Sequence, residues 1–126
     1  MPDSILVVDD QRDLRLLIRL SLLTLARVET AGTTAEALER VRSDPPRLMV
    51  LDVSLGTESG LDLCRMLKSD PATAPIRIVL LSAYGQEADV AAGIAAGADS
   101  YMVKPFSPRE LLAEATRLMA TIGKIR

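Results

Sequence analysis

The sequence contains no histidine and no tryptophan, and it has only one cysteine. Without histidine there can be no histidine metal ligand, no histidine-activated nucleophile and no phosphohistidine on this chain. The single cysteine, Cys64, cannot form an internal disulfide, and we expect it to be a buried small apolar residue. Because disulfides mark oxidising compartments and no signal peptide is recognisable, we predict a cytoplasmic location.

The sequence also lacks long uninterrupted hydrophobic runs and an excess of basic residues. Its most apolar stretch, 14–28, contains Arg15, Arg19 and Arg27, which rules it out as a membrane span. A net charge of -2 provides no positive surface to hold a polyanion. We therefore predict that this chain binds neither a membrane nor nucleic acid directly.

The composition favours a single α/β domain. At 126 residues the chain has the usual length of one domain. Apolar residues make up 48% of it and aromatic residues only 2%, so aliphatic side chains dominate the expected interior. We predict one domain over residues 1–126, with no output domain in this chain.

Short apolar runs alternate with amphipathic segments, which is the pattern of repeated β-α units around a parallel sheet. The first run stops at two acids, as expected of a strand that is buried on both faces. Thr33 paired with Glu36 predicts a helix start, and Gly97 predicts a helix end. The predicted strands are 5–8, 27–31, 48–51, 76–81 and 100–103, and the predicted helices are 11–25, 33–43, one that includes 61–67, 87–96 and 107–122.

This alternation predicts a flavodoxin-like, doubly wound (βα)5 fold with a five-stranded parallel sheet in the order 2-1-3-4-5. In such a sheet the ligand site lies beyond the carboxyl ends of the strands. Any single polar residue there would more often be a helix cap or a solvated turn residue. Here, however, a whole set of polar residues follows the strands and is expected to converge on one crevice: Asp9, Asp10, Asp52, Ser82 and Lys104.

Three carboxylates close together require a cation. At a separation of about 4 Å and an effective dielectric constant of about 20, each pair repels by about 4 kcal/mol. Hard oxygen ligands with open positions suit Mg2+, which readily bridges to phosphate oxygens, and Mn2+ would substitute for it. Asp52 beside the metal is then a candidate nucleophile toward phosphorus, with Lys104 and Ser82 stabilising the oxygens of the transferred group.

Four motifs resemble those of the receiver family of response regulators, the chemotaxis-type receivers of two-component signalling. They are Asp9-Asp10, Asp52 followed eight residues later by Gly60, Ser82 before Ala83, and Lys104-Pro105-Phe106. Together these motifs extend over nearly the whole chain. The resemblance implies the following protein ligands for magnesium: Asp10 directly, Asp9 mainly through water, Asp52, and the backbone carbonyl of Ser54.

The same resemblance implies a phosphorylation-dependent signalling switch. Asp52 would take a phosphoryl group from a histidine kinase or phosphotransfer protein, and Lys104, joined to Pro105 by a cis bond, would contact that group. Ser82 would then be drawn inward and Tyr101 would rotate into the vacated space, changing the surface of the fourth helix, fifth strand and fifth helix. Tyr101 could equally be a simple, partly buried aromatic residue.

The output of such a switch is not encoded in the sequence. A downstream protein effector, or an output domain missing from this chain, would read it, and homodimerisation through the fourth and fifth helices is an option. A receiver catalyses only its own phosphorylation and dephosphorylation, so we do not expect an enzyme with substrate turnover. Two alternatives stay open: a receiver-like interaction module that never takes phosphate, and a metal-dependent phosphohydrolase with an aspartyl nucleophile.

The first predicted helix carries two apolar stripes at helical spacing. The expected core stripe is Leu14, Leu17, Ile18 and Leu25, and the second stripe is Leu16, Leu20 and Leu23. Deep burial of the whole helix would explain the second stripe. Alternatively the stripe docks a partner, since receivers that resemble this one meet their kinases through the first helix and the loop after the fifth strand.

The sequence departs from the receiver family in the loops around the site. Gly56 stands where the family usually has proline, so we expect a more mobile loop after Asp52. Ser54 and Tyr84 occupy the two positions at which the family tunes the lifetime of the phosphoryl group. A bulky Tyr84 would shield the acyl phosphate from water, which predicts slow self-hydrolysis.

Overall fold

The structure, a computed structural model, describes residues 3–122 as a parallel β-sheet with helices on both faces and one small hairpin. The strands are β1 Ser4–Val8, β2 Arg27–Ala31, β3 Leu48–Asp52, β4 Ser54–Leu55, β5 Glu58–Ser59, β6 Arg77–Ser82 and β7 Ser100–Val103. The helices are α1 Arg12–Leu22, α2 Thr34–Ser43, α3 Gly60–Ser69, α4 Glu87–Ala95 and α5 Pro108–Ile122.

The main sheet has five strands in the order β2-β1-β3-β6-β7, and every neighbouring pair is parallel. Strands β4 and β5 form a separate antiparallel hairpin. Leaving out that hairpin, the order is 2-1-3-4-5, so the predicted doubly wound α/β fold is confirmed. Among residues 3–122, no helix combines the length and the apolar character needed to cross a membrane.

Alternate residues of the central strands divide the interior into two apolar layers. Every residue of β1 and β3 is buried, which explains why these segments read as uninterrupted apolar runs. Burying each such aliphatic side chain contributes about 1.5–3 kcal/mol to folding. One layer includes Leu6, Met49 and Leu80 with Ala37 of α2 and Leu63 of α3, and the other includes Ile5, Val50 and Leu81 with Ile18 of α1 and Leu111 of α5.

Helix α1 is shorter than predicted, and one of the four residues predicted for its core stripe, Leu17, lies on the surface, whereas the other three pack in or against the core. It ends at Leu22 rather than at residue 25, where the Leu22 carbonyl accepts hydrogen bonds from the N–H groups of Leu25 and Ala26. Ile18 and Leu22 are buried, whereas Leu17 is 51% exposed. The prediction that Leu17 faces the core is wrong because it precedes Ile18 by one residue, a rotation of about 100° around the helix.

The second stripe of α1 lies on the protein surface. Leu16, Leu20 and Leu23 are 51%, 58% and 45% exposed. Deep burial therefore does not explain these leucines. Docking of a partner on this stripe stays a prediction.

A β-hairpin occupies the segment after Asp52, for which the sequence predicted only a mobile loop. Leu55 pairs with Glu58, so Gly56 and Thr57 form a two-residue turn. Gly56 has a φ of 65°, a region that favours glycine, and Thr57 has no positive φ. This combination fits a type II′ turn, which has its positive φ at the first central position. The glycine therefore closes a tight hairpin here, and greater mobility of the segment stays a prediction.

The helix-end signals in the sequence are largely confirmed. Thr33 Oγ1 accepts a hydrogen bond from the Glu36 N–H at 3.1 Å, as predicted for the start of α2. The Glu36 carboxylate accepts from the N–H of Gly32 rather than from that of Thr33, so the capping box is incomplete. Gly97 has a φ of 98° just after α4, which confirms its predicted role.

Candidate functional site

A crevice of about 230 Å3 opens at the carboxyl ends of β1, β3, β6 and β7. Asp9 is buried beside it, with only 1% of its surface exposed. Tyr101 is not among the lining residues. The structure thus brings the five predicted strand-end residues together, and the crevice wall consists of Asp10, Gln11, Asp52, Ser54, Gly56, Ser82, Ala83, Tyr84 and Lys104.

Asp52 lies at the floor of the crevice with both carboxylate oxygens engaged. It is the last residue of β3 and is 4% exposed. Its Oδ1 accepts a hydrogen bond from the Ser54 N–H at 2.9 Å, and its Oδ2 accepts one from Lys104 Nζ at 2.5 Å. The carboxylate is therefore fixed in orientation and faces a cation at the end of β7.

Lys104 reaches Asp52 because of the backbone around it. The Lys104 N–H donates to the Ser82 carbonyl at 2.7 Å, which continues the β6–β7 pairing by one residue. The Lys104-Pro105 peptide bond is cis, as the resemblance implied. The lysine ammonium lies beside Asp52 at the end of β3.

Asp9 has an unsatisfied oxygen next to Asp52. Its Oδ1 accepts the Gln11 N–H at 2.8 Å, while its Oδ2 is buried without a hydrogen-bond partner. Burial and the neighbouring Asp52 carboxyl raise the pKa of Asp9 to about 7. A buried carboxylate oxygen without a partner is costly, and a bound cation would remove that cost.

These oxygens fit an open magnesium site rather than a cage built only from side chains. Among residues 3–122, no group of three His, Cys, Asp or Glu side chains stands close enough together to hold a metal by itself. Mg2+ does not need such a cage, because it binds through one or two carboxylates and keeps several waters. The orphan oxygen of Asp9, the exposed Asp10 and the carboxylate of Asp52 provide hard oxygen donors of this kind.

The two predicted switch residues both hydrogen-bond to the backbone of Tyr84. Ser82 is 3% exposed, and its Oγ accepts the Tyr84 N–H at 3.0 Å. The hydroxyl of Tyr101 donates to the Tyr84 carbonyl at 2.7 Å. The Tyr101 ring lies against Gly93 of α4, where an added Cβ would come within 2.6 Å of its Cδ2. The ring thus connects the crevice loop with α4.

Two contacts near the site were not predicted from the sequence. Arg15 Nη1 donates to the carbonyl of Asp9 at 2.7 Å, which ties α1 to the end of β1. Glu58 in the hairpin accepts two hydrogen bonds from Thr34 at the start of α2. Neither contact has a sequence signal, because each joins side chains to segments that only the fold brings together.

Comparison with known proteins identifies the family. The model of the family described as response regulator receiver domain matches residues 5–116. The phosphate regulon transcriptional regulatory protein PhoB of Rhizobium meliloti (strain 1021) is 38% identical over 120 residues, covering 94% of this chain and 53% of that protein. The response regulator MprA of Mycolicibacterium vanbaalenii is 42% identical over 120 residues, covering 94% of this chain and 51% of that protein. The chain thus spans about half the length of the curated relatives it matches.

A solved structure leads to the same result. The response regulator DrrB of Thermotoga maritima, described as an OmpR/PhoB homologue, matches with a TM-score of 0.88 at 34% identity, covering 96% of this chain and 54% of that chain. Receivers of this kind act in phosphorylation-dependent signal transduction by two-component systems. The family match extends over residues 5–116 and the fold agrees with that of the solved receiver: the chain belongs to the response regulator receiver domain family.

Proposed function

We propose that Asp52 is the phosphoacceptor of this receiver. The observation that carries the proposal is the environment of its carboxylate, which is buried at the crevice floor and held between the Ser54 N–H and the Lys104 ammonium. A carboxylate held in this orientation is positioned for one of its oxygens to attack phosphorus. We further propose that residues 1–126 form one receiver domain, whose only catalysis is of its own phosphorylation and dephosphorylation.

We propose that the crevice binds Mg2+, for which Mn2+ can substitute. The receiver family generally binds Mg2+ at its phosphorylation site. When bound, the metal supplies positive charge to an oxygen of the transferring group. In this chain the residues that would hold it are Asp10, Asp52 and the carbonyl of Ser54 directly, and Asp9 mainly through water.

The remaining polar groups stabilise the charge that develops on the phosphoryl oxygens. One Asp52 oxygen forms a bond to phosphorus while the bond between phosphorus and the donor breaks. Lys104 Nζ, already beside Oδ2, contacts one phosphoryl oxygen. The Ser82 Oγ accepts from Tyr84 in this structure, and its own proton is available to donate to a second phosphoryl oxygen.

Phosphorylation changes the surface through Ser82 and Tyr101. Movement of Ser82 toward a phosphoryl oxygen pulls on the Tyr84 N–H that it holds. The Tyr84 carbonyl accepts the hydrogen bond of the Tyr101 hydroxyl. When Tyr84 shifts, this hydrogen bond is lost, and the ring leaves its place against Gly93. The faces of α4, β7 and α5 then present different contacts to partners.

The partners that we propose follow from the chemistry of the site and the exposed face of α1. A histidine kinase or phosphotransfer protein supplies the phosphoryl group and docks on the leucine stripe, Leu16, Leu20 and Leu23. A downstream protein effector or a further output domain reads the changed surface, and a phosphorylation-dependent homodimer is one form this could take. We propose the cytoplasm as the compartment, in keeping with the buried free thiol of Cys64.

Locating the modified residue tests this function. The full chain is treated with Mg2+ and a small acyl phosphate, reduced with borohydride and digested, so that an aspartyl phosphate is recovered as homoserine in a single peptide. Homoserine at position 52 is the expected result. Homoserine elsewhere would contradict the assignment of Asp52, and its absence with Mg2+ bound would favour a phosphate-independent interaction module.

A further inference from the structure

The hairpin β4–β5 is fixed at its base to the end of β3. The N–H of Gly60 donates to the Val53 carbonyl at 2.7 Å, and a Cβ at Gly60 would lie 2.0 Å from the Asp52 carbonyl oxygen. Only glycine permits this close approach. The base is therefore held by backbone contacts, whereas its tip, around Gly56 and Thr57, projects away from them.

The outer strand of the hairpin is anchored to α2 by one carboxylate. Glu58 Oε1 accepts the Thr34 N–H at 3.0 Å, and Glu58 Oε2 accepts the Thr34 hydroxyl at 2.7 Å. Thr34 is the first residue of α2, so its N–H has no partner within the helix. These hydrogen bonds favour the ionised carboxylate and lower the pKa of Glu58.

The inner strand of the same hairpin borders the crevice. Ser54 donates its N–H to Asp52 Oδ1, and a Cβ at Gly56 would lie 3.6 Å from Asp10 Oδ2. Leu55 pairs directly with Glu58 across the ladder. The two-residue ladder therefore connects Glu58 to the segment that carries the Ser54 carbonyl.

We propose that Glu58 is a positioning residue for the metal site, because its double hydrogen bond to Thr34 holds the segment 54–56 at the edge of the crevice. The inference rests on the proposed function, in which the Ser54 carbonyl is a magnesium ligand. Glu58 itself does not touch the metal or the phosphoryl group. It acts on them through the β4–β5 ladder, as residues that orient metal ligands do.

A purely structural role for this contact predicts something different. Glu58 is exposed, and hydrogen bonds between exposed groups contribute little to global stability. Loss of the anchor should therefore leave the overall fold and its melting temperature almost unchanged. Its effect should appear in the order of residues 54–59 and in the affinity for Mg2+.

The experiment uses the full chain and four variants: Glu58→Ala, Glu58→Gln, Thr34→Val and the double variant Glu58→Ala/Thr34→Val. Glu58→Ala removes both hydrogen bonds, whereas Glu58→Gln removes the charge but keeps an oxygen for the Thr34 N–H and an N–H for its hydroxyl. Mg2+ affinity is measured by calorimetry, and amide hydrogen exchange of residues 54–59 is measured in metal-free protein. Thermal unfolding checks that every variant is folded.

We expect Glu58→Ala to weaken Mg2+ binding about three- to fivefold, as the loss of an exposed, charged contact allows. Amide exchange in residues 54–59 of Glu58→Ala should be faster. The Mg2+ affinity of Glu58→Gln should stay within about twofold of that of the unmodified chain, since this variant keeps most of the contact. Thr34→Val by itself should weaken Mg2+ binding. The double variant should bind Mg2+ as tightly as Glu58→Ala does, which would identify the two residues as partners in one interaction.

Specific outcomes overturn the inference. Equal weakening by Glu58→Gln and Glu58→Ala would mean that only the charge of Glu58 matters, and unchanged Mg2+ affinity in Glu58→Ala would remove any role in positioning. If the unmodified chain binds Mg2+ but is not phosphorylated, and Glu58→Ala binds Mg2+ more weakly as expected, the proposed function fails and the inference stands. If it is phosphorylated while Glu58→Ala binds Mg2+ normally, the inference alone fails. If the unmodified chain binds no Mg2+, both fail.

Discussion

The hydroxyl of Tyr101 donates a hydrogen bond to the carbonyl of Tyr84 at 2.7 Å. The N–H of Tyr84 donates in turn to Ser82 Oγ at the edge of the crevice. A single residue of the loop after β6 therefore contacts both side chains that the sequence singled out as switch residues. These two bonds connect the edge of the crevice to β7 and, through the Tyr101 ring against Gly93, to α4.

Replacing Tyr101 with phenylalanine removes the contact to Tyr84 and keeps the ring. We expect faster amide hydrogen exchange in residues 83–86 of the unphosphorylated protein, because the Tyr84 carbonyl loses its partner. Phosphorylation of Asp52 should proceed at an unchanged rate, since Tyr101 does not line the crevice. Exchange that is the same in both proteins would contradict the role of the Tyr101 hydroxyl in coupling the loop to β7.

The raised pKa of Asp9 predicts how stability depends on pH in metal-free protein. Its pKa rises from 3.8 to about 7 on folding, so between those values the folded protein holds a proton that the unfolded chain has released. The free energy of unfolding should therefore fall as pH rises from about 4 to about 7. Asp9→Asn should lose this dependence and melt at a higher temperature than the unmodified protein at about pH 8.

The same titration predicts the pH dependence of magnesium binding. Metal ligands must be deprotonated, so the rise in melting temperature caused by saturating Mg2+ should be larger at about pH 8 than at about pH 5. This rise is measured by thermal unfolding at the two pH values, with and without Mg2+, using circular dichroism to monitor the transition. An equal rise at both pH values would show that Asp9 does not contribute to the metal site.

Polar substitutions on the leucine stripe of α1 test how the phosphoryl donor docks. Leu16→Gln with Leu20→Gln should lower the rate of phosphotransfer from the cognate kinase about tenfold or more, since burying each leucine side chain at an interface contributes about 1.5–3 kcal/mol. Phosphorylation by a small acyl phosphate should not change, because the crevice is intact. Melting temperature should change little, as both side chains are more than half exposed.

A matched control for these leucines is available on another helix. Met66 of α3 is 49% exposed and lies outside both α1 and the crevice. Met66→Gln should leave transfer from the kinase unaffected. If the rate of phosphotransfer from the kinase falls equally in Met66→Gln and in the Leu16/Leu20 variant, or falls in neither, the leucine stripe is not the docking surface.

Tyr84 should lengthen the lifetime of the phosphorylated state. Its side chain is 66% exposed at the wall of the crevice, where it can hinder the approach of water to the acyl phosphate. We expect slow self-hydrolysis in the unmodified protein and faster hydrolysis in Tyr84→Ala, followed by the loss of phosphorylated mass with time. A lifetime of seconds in the unmodified protein would refute the shielding role.

The sheet and the residues around Asp52 could be predicted from the sequence, and the reason is physical. Strands that are buried on both faces must be apolar throughout, so polar residues at positions 9, 52, 82 and 104 mark where the strands end. Parallel strands bring those ends to one edge. The position of the crevice then follows from the topology alone.

The hairpin and its anchor could not be predicted in the same way. Strands β4 and β5 have two residues each, which is too short for any hydrophobic period to be visible. Glu58 and Thr34 are 24 residues apart in the chain, and nothing in either neighbourhood indicates the other. Leu17 was misassigned for a related reason: the sequence identified the stripe that meets the core, but in a helix so rich in leucine it did not reveal where the edge of that stripe lies.

Phosphorylation of Asp52 is tested most directly by the intact mass of the full chain after incubation with Mg2+ and acetyl phosphate, beside an Asp52→Asn control. We predict a gain of a single phosphoryl group that requires Mg2+ and is absent from the control. No gain in a protein that demonstrably binds Mg2+, or an equal gain in Asp52→Asn, would contradict the assignment of Asp52 as the phosphoacceptor.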